Sequence, residues 1–70
     1  MRVEIGDLVM LRKVARDTLL LQGVDVGGNF AEVVDCQRVP DGVDLTLKFE
    51  GLKTLITDIP LEFVHHVAIS

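Results

Sequence analysis

Seventy residues allow one domain, read over 1–70, with a modest core, because a chain this short buries only about 60% of the surface that its unfolded form exposes. Apolar residues make up 49% of it, which excludes disorder, and seven basic against eleven acidic residues leave a net charge of -4 that disfavours a general binder of nucleic acid or anionic lipid. The lone cysteine, Cys36, excludes an internal disulfide or a cysteine-based zinc site and fits a reducing compartment.

The opening Met1-Arg2-Val3-Glu4-Ile5-Gly6-Asp7 carries charge too early for a signal peptide, and the longest apolar runs are four residues. The expectation is a soluble, cytoplasmic protein with no membrane segment. Gly6-Asp7 is a turn signal leading into Leu8-Val9-Met10-Leu11. Two readings of 8–22 compete. A strand can open at Leu8, or a helix can run over 8–22, with Asp7 as its cap, Gly23 as its stop and Arg12, Lys13, Arg16 and Asp17 on one polar face. The helix would put Val9 and Leu20 on or near the wet face, so the strand is preferred. Lys13 to Gln22 then becomes a long excursion whose Thr18–Leu21 run forms an irregular strand or packs across the open end of a barrel.

Gly27-Gly28 before Asn29 supplies a reversal. The glycines from Gly23 to Gly28 lack phosphate-loop spacing and a following lysine, so they read as a turn. Phe30–Arg38 is a strand, and Pro40-Asp41-Gly42 turns it into Val43–Glu50, where apolar and polar residues alternate without a break. That period puts Val43, Leu45, Leu47 and Phe49 on a buried face. The preferred register sets Arg38 against Val43, Cys36 against Leu45 and Val34 against Leu47, since a one-residue slip would turn Gln37 and Asp35 inward. After Gly51, Lys53–Thr57 reads as the antiparallel neighbour. Pro60 ends pairing in a short 3-10 turn over Asp58–Glu62, and Phe63–Ile69 closes the sheet. The sum is a mainly β chain, a small barrel of five to six antiparallel strands; the alternative is α+β, with helix 8–22 packed on an antiparallel meander.

The order of these pieces resembles an SH3-like small barrel. The likeness rests on the Val3-Glu4-Ile5-Gly6-Asp7-Leu8-Val9 opening, the long first loop, the tight hairpin, the Asp58–Glu62 turn and a closing strand. It implies the fold and fixes no function, because such barrels serve many. Readers of proline-rich or methyl-lysine peptides need cages of Tyr and Trp, which this chain lacks; Phe30, Phe49 and Phe63 are expected in the core. The type II dihydrofolate reductases of plasmids are similar in layout, yet their Val-Gln-Ile-Tyr string has no counterpart at Thr54–Thr57.

Chemistry-bearing groups are sparse. His65 and His66 adjoin on a strand and point to opposite faces, so they cannot chelate one metal within a chain, although two closing strands meeting in a dimer would gather four imidazoles. No serine or cysteine stands in a recognisable relay with histidine and carboxylate. No enzyme activity, cofactor or metal is expected; a small-molecule site formed only at a symmetric interface is the outside alternative. Arg12, Lys13 and Arg16 form the one basic cluster, while Glu32, Asp35, Asp41, Asp44 and Glu50 make an acidic outer sheet.

The apolar excess is more informative. Leu8 and Met10 alternate with Val9 and Leu11, Leu19–Leu21 has no polar member, and Val64 and Ala68 oppose Val67 and Ile69. A lone barrel has one inside, so part of this surface is left over. The expected function is therefore a non-enzymatic protein-interaction module that forms a homodimer or higher oligomer or docks on a larger partner. Its contact residues are expected to be Leu8, Met10, Arg12, Lys13, Arg16, Leu20, His65 and His66. The alternative is a nucleic-acid-binding or regulatory barrel that uses Arg12, Lys13 and Arg16.

Overall fold

The structure, a computed structural model, describes residues 2–67. Its elements are β1 (Leu8–Leu11), α1 (Lys13–Leu21), β2 (Ala31–Val39), β3 (Gly42–Phe49), β4 (Ile56–Pro60), a 3-10 turn (Leu61–Phe63) and β5 (Val64–His66). The chain is mainly β: five antiparallel strands form one sheet in the order β4-β3-β2-β1-β5.

Alternation places the core. Leu45, Leu47 and Phe49 on β3 are buried with Val9 and Leu11 on β1, Ala31 and Val33 on β2, Ile59 on β4 and Val64 on β5, and Ala15 of α1 and Val26 of the following loop join them. Both readings of 8–22 are right in part. The strand stops at Leu11 and the helix begins only at Lys13, which corrects a helix over 8–22 as well as a helix-free excursion. Asp7 is not its cap: the carboxylate instead accepts the Glu4 amide at 2.8 Å and closes the turn before β1. No side chain caps α1 at Arg12. Support comes later, from the Lys13–Asp17 pair one turn apart and from Gly23. With φ at +88°, Gly23 donates to the Leu20 carbonyl while Val24 donates to that of Leu19, a two-bond close to the helix that an L side chain strains.

The hairpin register holds at Arg38 with Val43 and Cys36 with Leu45, and Val39 pairs with Gly42, so only Pro40 and Asp41 lie beyond the ladder. Farther along it is corrected. Val33, not Val34, faces Leu47, because a bulge between Val33 and Asp35 leaves Val34 as the extra residue. An unbulged strand could not have turned Ala31 and Val33 inward at one end and Cys36 inward at the other. The Asp35 carboxylate takes the next amide, that of Cys36, at 2.9 Å.

The fourth strand starts at Ile56 rather than Lys53 and runs through Pro60, which is tolerated because β4 is an edge. A second irregularity, with Asp58 at φ +60°, lets Ile59 face Leu45 and Ile56 face Leu47. The 3-10 turn accordingly begins one residue after Pro60. β5 pairs with β1 through Leu11 with Val64, Met10 with His65 and Val9 with His66; the expected continuation over Ala68 and Ile69 lies outside the described residues. Of the three aromatics only Phe49 is a core residue. Phe30 is 52% exposed and Phe63 38%, since Phe30 precedes β2 and Phe63 sits in the turn before β5. No helix among the described residues is long and apolar enough to cross a membrane.

Candidate interaction surface

The fold brings part of the sequence-predicted contact set together on the paired strands β1 and β5 and separates it from Leu20 on α1. Leu8 and Met10 are half-buried on β1, with Met10 opposite His65. Both histidines are exposed, and His66 is drawn to the Asp7 carboxylate, with Nε2 at 3.1 Å from Oδ2. Two hydrogen-bonding partners thus converge on Asp7, the Glu4 amide first and His66 second, and they hold its carboxyl below the ordinary aspartate range. The basic cluster does not act as a unit. Arg12 donates Nε to the Glu62 carbonyl at 3.0 Å, Lys13 pairs with Asp17 at 2.9 Å, and Arg16 is half-buried with its Nε enclosed and without a partner.

Two surfaces stand out instead. The first is the outer side of α1. Ala15 and Leu19 face the sheet, and three-residue and four-residue steps then leave Val14 (67% exposed), Leu20 (56%) and Leu21 (90%) outside. Only Leu20 was anticipated. Val14 and Leu21 are seven residues apart, about 10.5 Å along a helix axis, and they fall on nearly one side of it. That spacing is a readable signal once the helix is begun at Lys13 rather than Leu8.

The second surface surrounds Val43, which pairs with Arg38 at the hairpin end of β3. Val43 lines three adjoining clefts of ≈ 440, 360 and 380 Å³. Leu61 supplies apolar floor to two of them. Arginines border these same two, Arg12 beside Glu62 in one and Arg2 with Arg38 in the other, whereas Asp41, Asp44 and Glu62 border the third. Three of the chain's four arginines therefore gather beside one apolar patch in an acidic protein. Sequence reading missed this, since Arg2, Arg12 and Arg38 are brought together only by the N-terminal segment lying against β2 and by the pairing of β1 with β5 and of β2 with β3. Arg38 forms no ion pair among the described residues, and neither does Asp41; Arg2 reaches Glu4 at 3.2 Å with both side chains largely in water.

Cys36 borders the arginine cleft and is half-buried, its Sγ 4.0 Å from the Val3 carbonyl oxygen. Burial, and then the negative field of Asp35, Asp7 and Glu4, push the thiol pKa up, so the group stays protonated and poorly nucleophilic at neutral pH. Among the described residues no group of three or more His, Cys, Asp and Glu side chains is placed to hold a metal ion. Compared with protein-family models, with curated proteins and with solved structures, the chain matches none.

Proposed function

We propose that this chain is a small SH3-like barrel acting as a non-enzymatic protein-interaction module, and that the chain it meets is a second copy of itself. The barrel reading draws support from the strand order, from the long connection between β1 and β2, and from the 3-10 turn that delivers β5 to β1. A lone thiol supports a reducing, cytoplasmic setting.

The observation that carries the interaction reading is the outer face of α1. A nine-residue helix that exposes Val14, Leu20 and Leu21 keeps more apolar surface in water than a monomer has reason to keep. Val14 and Leu21 also make that face self-complementary, because an antiparallel second helix sets each Val14 over the other copy's Leu21. Contact with nucleic acid through Arg12, Lys13 and Arg16 gains nothing from three side chains that are engaged or enclosed separately. Sedimentation equilibrium from about 1 to 200 µM tests the reading, a range that captures dissociation constants of the common weak dimers. Mass rising toward twice that of the chain is expected; a constant monomer mass refutes self-association.

A further inference from the structure

The geometry points to a second, electrostatic contact between copies of this chain, made by the Val43 surface and separate from the helix face. It rests on the reading of the chain as self-associating and deepens it by assigning an interface. The surface is bipolar. Arg2 and Arg38 lie to one side of Val43, and Asp41, Asp44 and Glu62 border the cleft on the other.

A two-fold axis lying in the plane of contact, crossing Val43 between the two sides, lays the arginine side of each copy over the carboxylate side of the other. Val43 then meets its own equivalent at the centre. One patch thereby satisfies itself twice, which is the condition for an isologous dimer. No other partner needs to be supplied: an anionic ligand alone would leave the three carboxylates facing it, and a basic one would meet the arginines. Arg38 and Asp41 are exposed and without ion pairs among the described residues, so both are available for a partner without breaking a contact inside the chain. The net charge of -4 per copy opposes association at long range, which leaves the paired patches as the place where two copies attract.

The test uses the full chain carrying Leu21→Lys, so that loss of the helix contact is not read as loss of this one. Sedimentation equilibrium at up to about 200 µM is run in about 50 and 500 mM salt, since screening at the higher value shortens the Debye length to a few ångströms. The expected result is a dimer whose dissociation constant rises about tenfold or more with salt. Arg38→Glu abolishes it, Asp41→Arg abolishes it, and the double variant Arg38→Glu with Asp41→Arg restores it, because each reversed charge again finds its opposite across the axis. A Leu21→Lys chain that is monomeric at low salt, or a dimer indifferent to salt and to both reversals, overturns the inference. If the wild-type chain self-associates while the Leu21→Lys chain is monomeric at low salt, the reading of α1 survives and this interface does not; a Leu21→Lys dimer indifferent to salt and to both reversals overturns this interface and the role of the helix face together.

Discussion

Replacing Leu21 by lysine separates folding from association more cleanly than any other substitution in the chain. The side chain is 90% exposed and ends α1, so the folded monomer loses almost no packing. Lysine and leucine are close in helix propensity, and the last turn of α1 holds no basic residue, so a cation there complements the negative end of the helix dipole. Stability of the monomer should stay within about 0.5 kcal/mol. Association is another matter. Full burial of a leucine side chain contributes about 1.5–3 kcal/mol, and nine-tenths of that remains to be gained when a second copy covers it. Because an isologous contact uses the residue twice, about 3–5 kcal/mol is at stake, or about two to four orders of magnitude in the dissociation constant of the helix contact. Sedimentation equilibrium reads that change, and urea unfolding at low concentration reads the monomer. Equal association of wild type and variant would refute the role given to the helix face; a large loss of monomer stability would show that Leu21 packs against its own chain.

Phe49 is 1% exposed, and Phe49→Ala should cost about 3–5 kcal/mol, which competes with the whole stability of a chain this size, whereas Phe30→Ala should cost about 1 kcal/mol or less; urea titration of the two variants checks the contrast. Gly23→Ala puts a Cβ at φ +88° with nothing nearby to gain from it, and should lower stability by about 1–2 kcal/mol with the loss of helical signal in circular dichroism leading the global transition. Asp7 has its carboxyl held below the ordinary value of 3.8, so its contribution is fully present above that pH and fades as pH falls through the lower folded value; Asp7→Asn should flatten the acid limb of the stability curve, and an unchanged limb would discount the Glu4 and His66 contacts. If copies associate, the urea midpoint of wild type should rise with protein concentration, by about 0.7 kcal/mol of stability per mole of chain for each tenfold above the dissociation constant, and should cease to rise in a variant combining Leu21→Lys with Arg38→Glu.

Strand and turn chemistry were legible where one residue type decides the outcome. Eight alternating residues identified β3 and its buried face, and Pro40-Asp41-Gly42 identified the hairpin, because a period of two and a left-handed glycine leave few other structures. The bulge at Val34 was not legible. Val33 and Val34 are chemically alike, so their order carries no information about which one faces Leu47; the choice is made by Ala31 and Cys36 at either end of the strand. The boundary between β1 and α1 was hidden for a related reason: Leu8–Leu11 and Val14–Leu21 are apolar on more than one side, and no capping residue stands at Arg12. For the candidate surfaces, Leu20 could be reached from composition alone. Arg2, Arg38 and Val43 could not, because a surface made from two strands and the N-terminal segment has no local spacing to read.

These misses and the apolar excess share one cause. A chain of this length cannot enclose all of its apolar residues, so any pattern that places them on both faces of an element misleads a reading based on one inside and one outside. Val9 and Leu11 satisfy the core, and the leftover is carried by α1, by Ile5, Phe30, Leu55 and Phe63, and in part by the half-buried Val43 and Leu61. The surfaces at α1 and at Val43 differ in kind. On α1 the apolar residues stand beside a self-contained Lys13–Asp17 pair, which adds little direction, so in the proposed dimer the helix face would add affinity without much selectivity. At Val43 the apolar patch is small but two of its clefts differ in the sign of their charges, so in the proposed dimer that surface would set orientation and reject a copy docked the wrong way round. A chain with only the first would associate indiscriminately, and one with only the second would associate weakly. On the proposed reading, holding both would let so short a sequence choose its own copy rather than any apolar surface it meets.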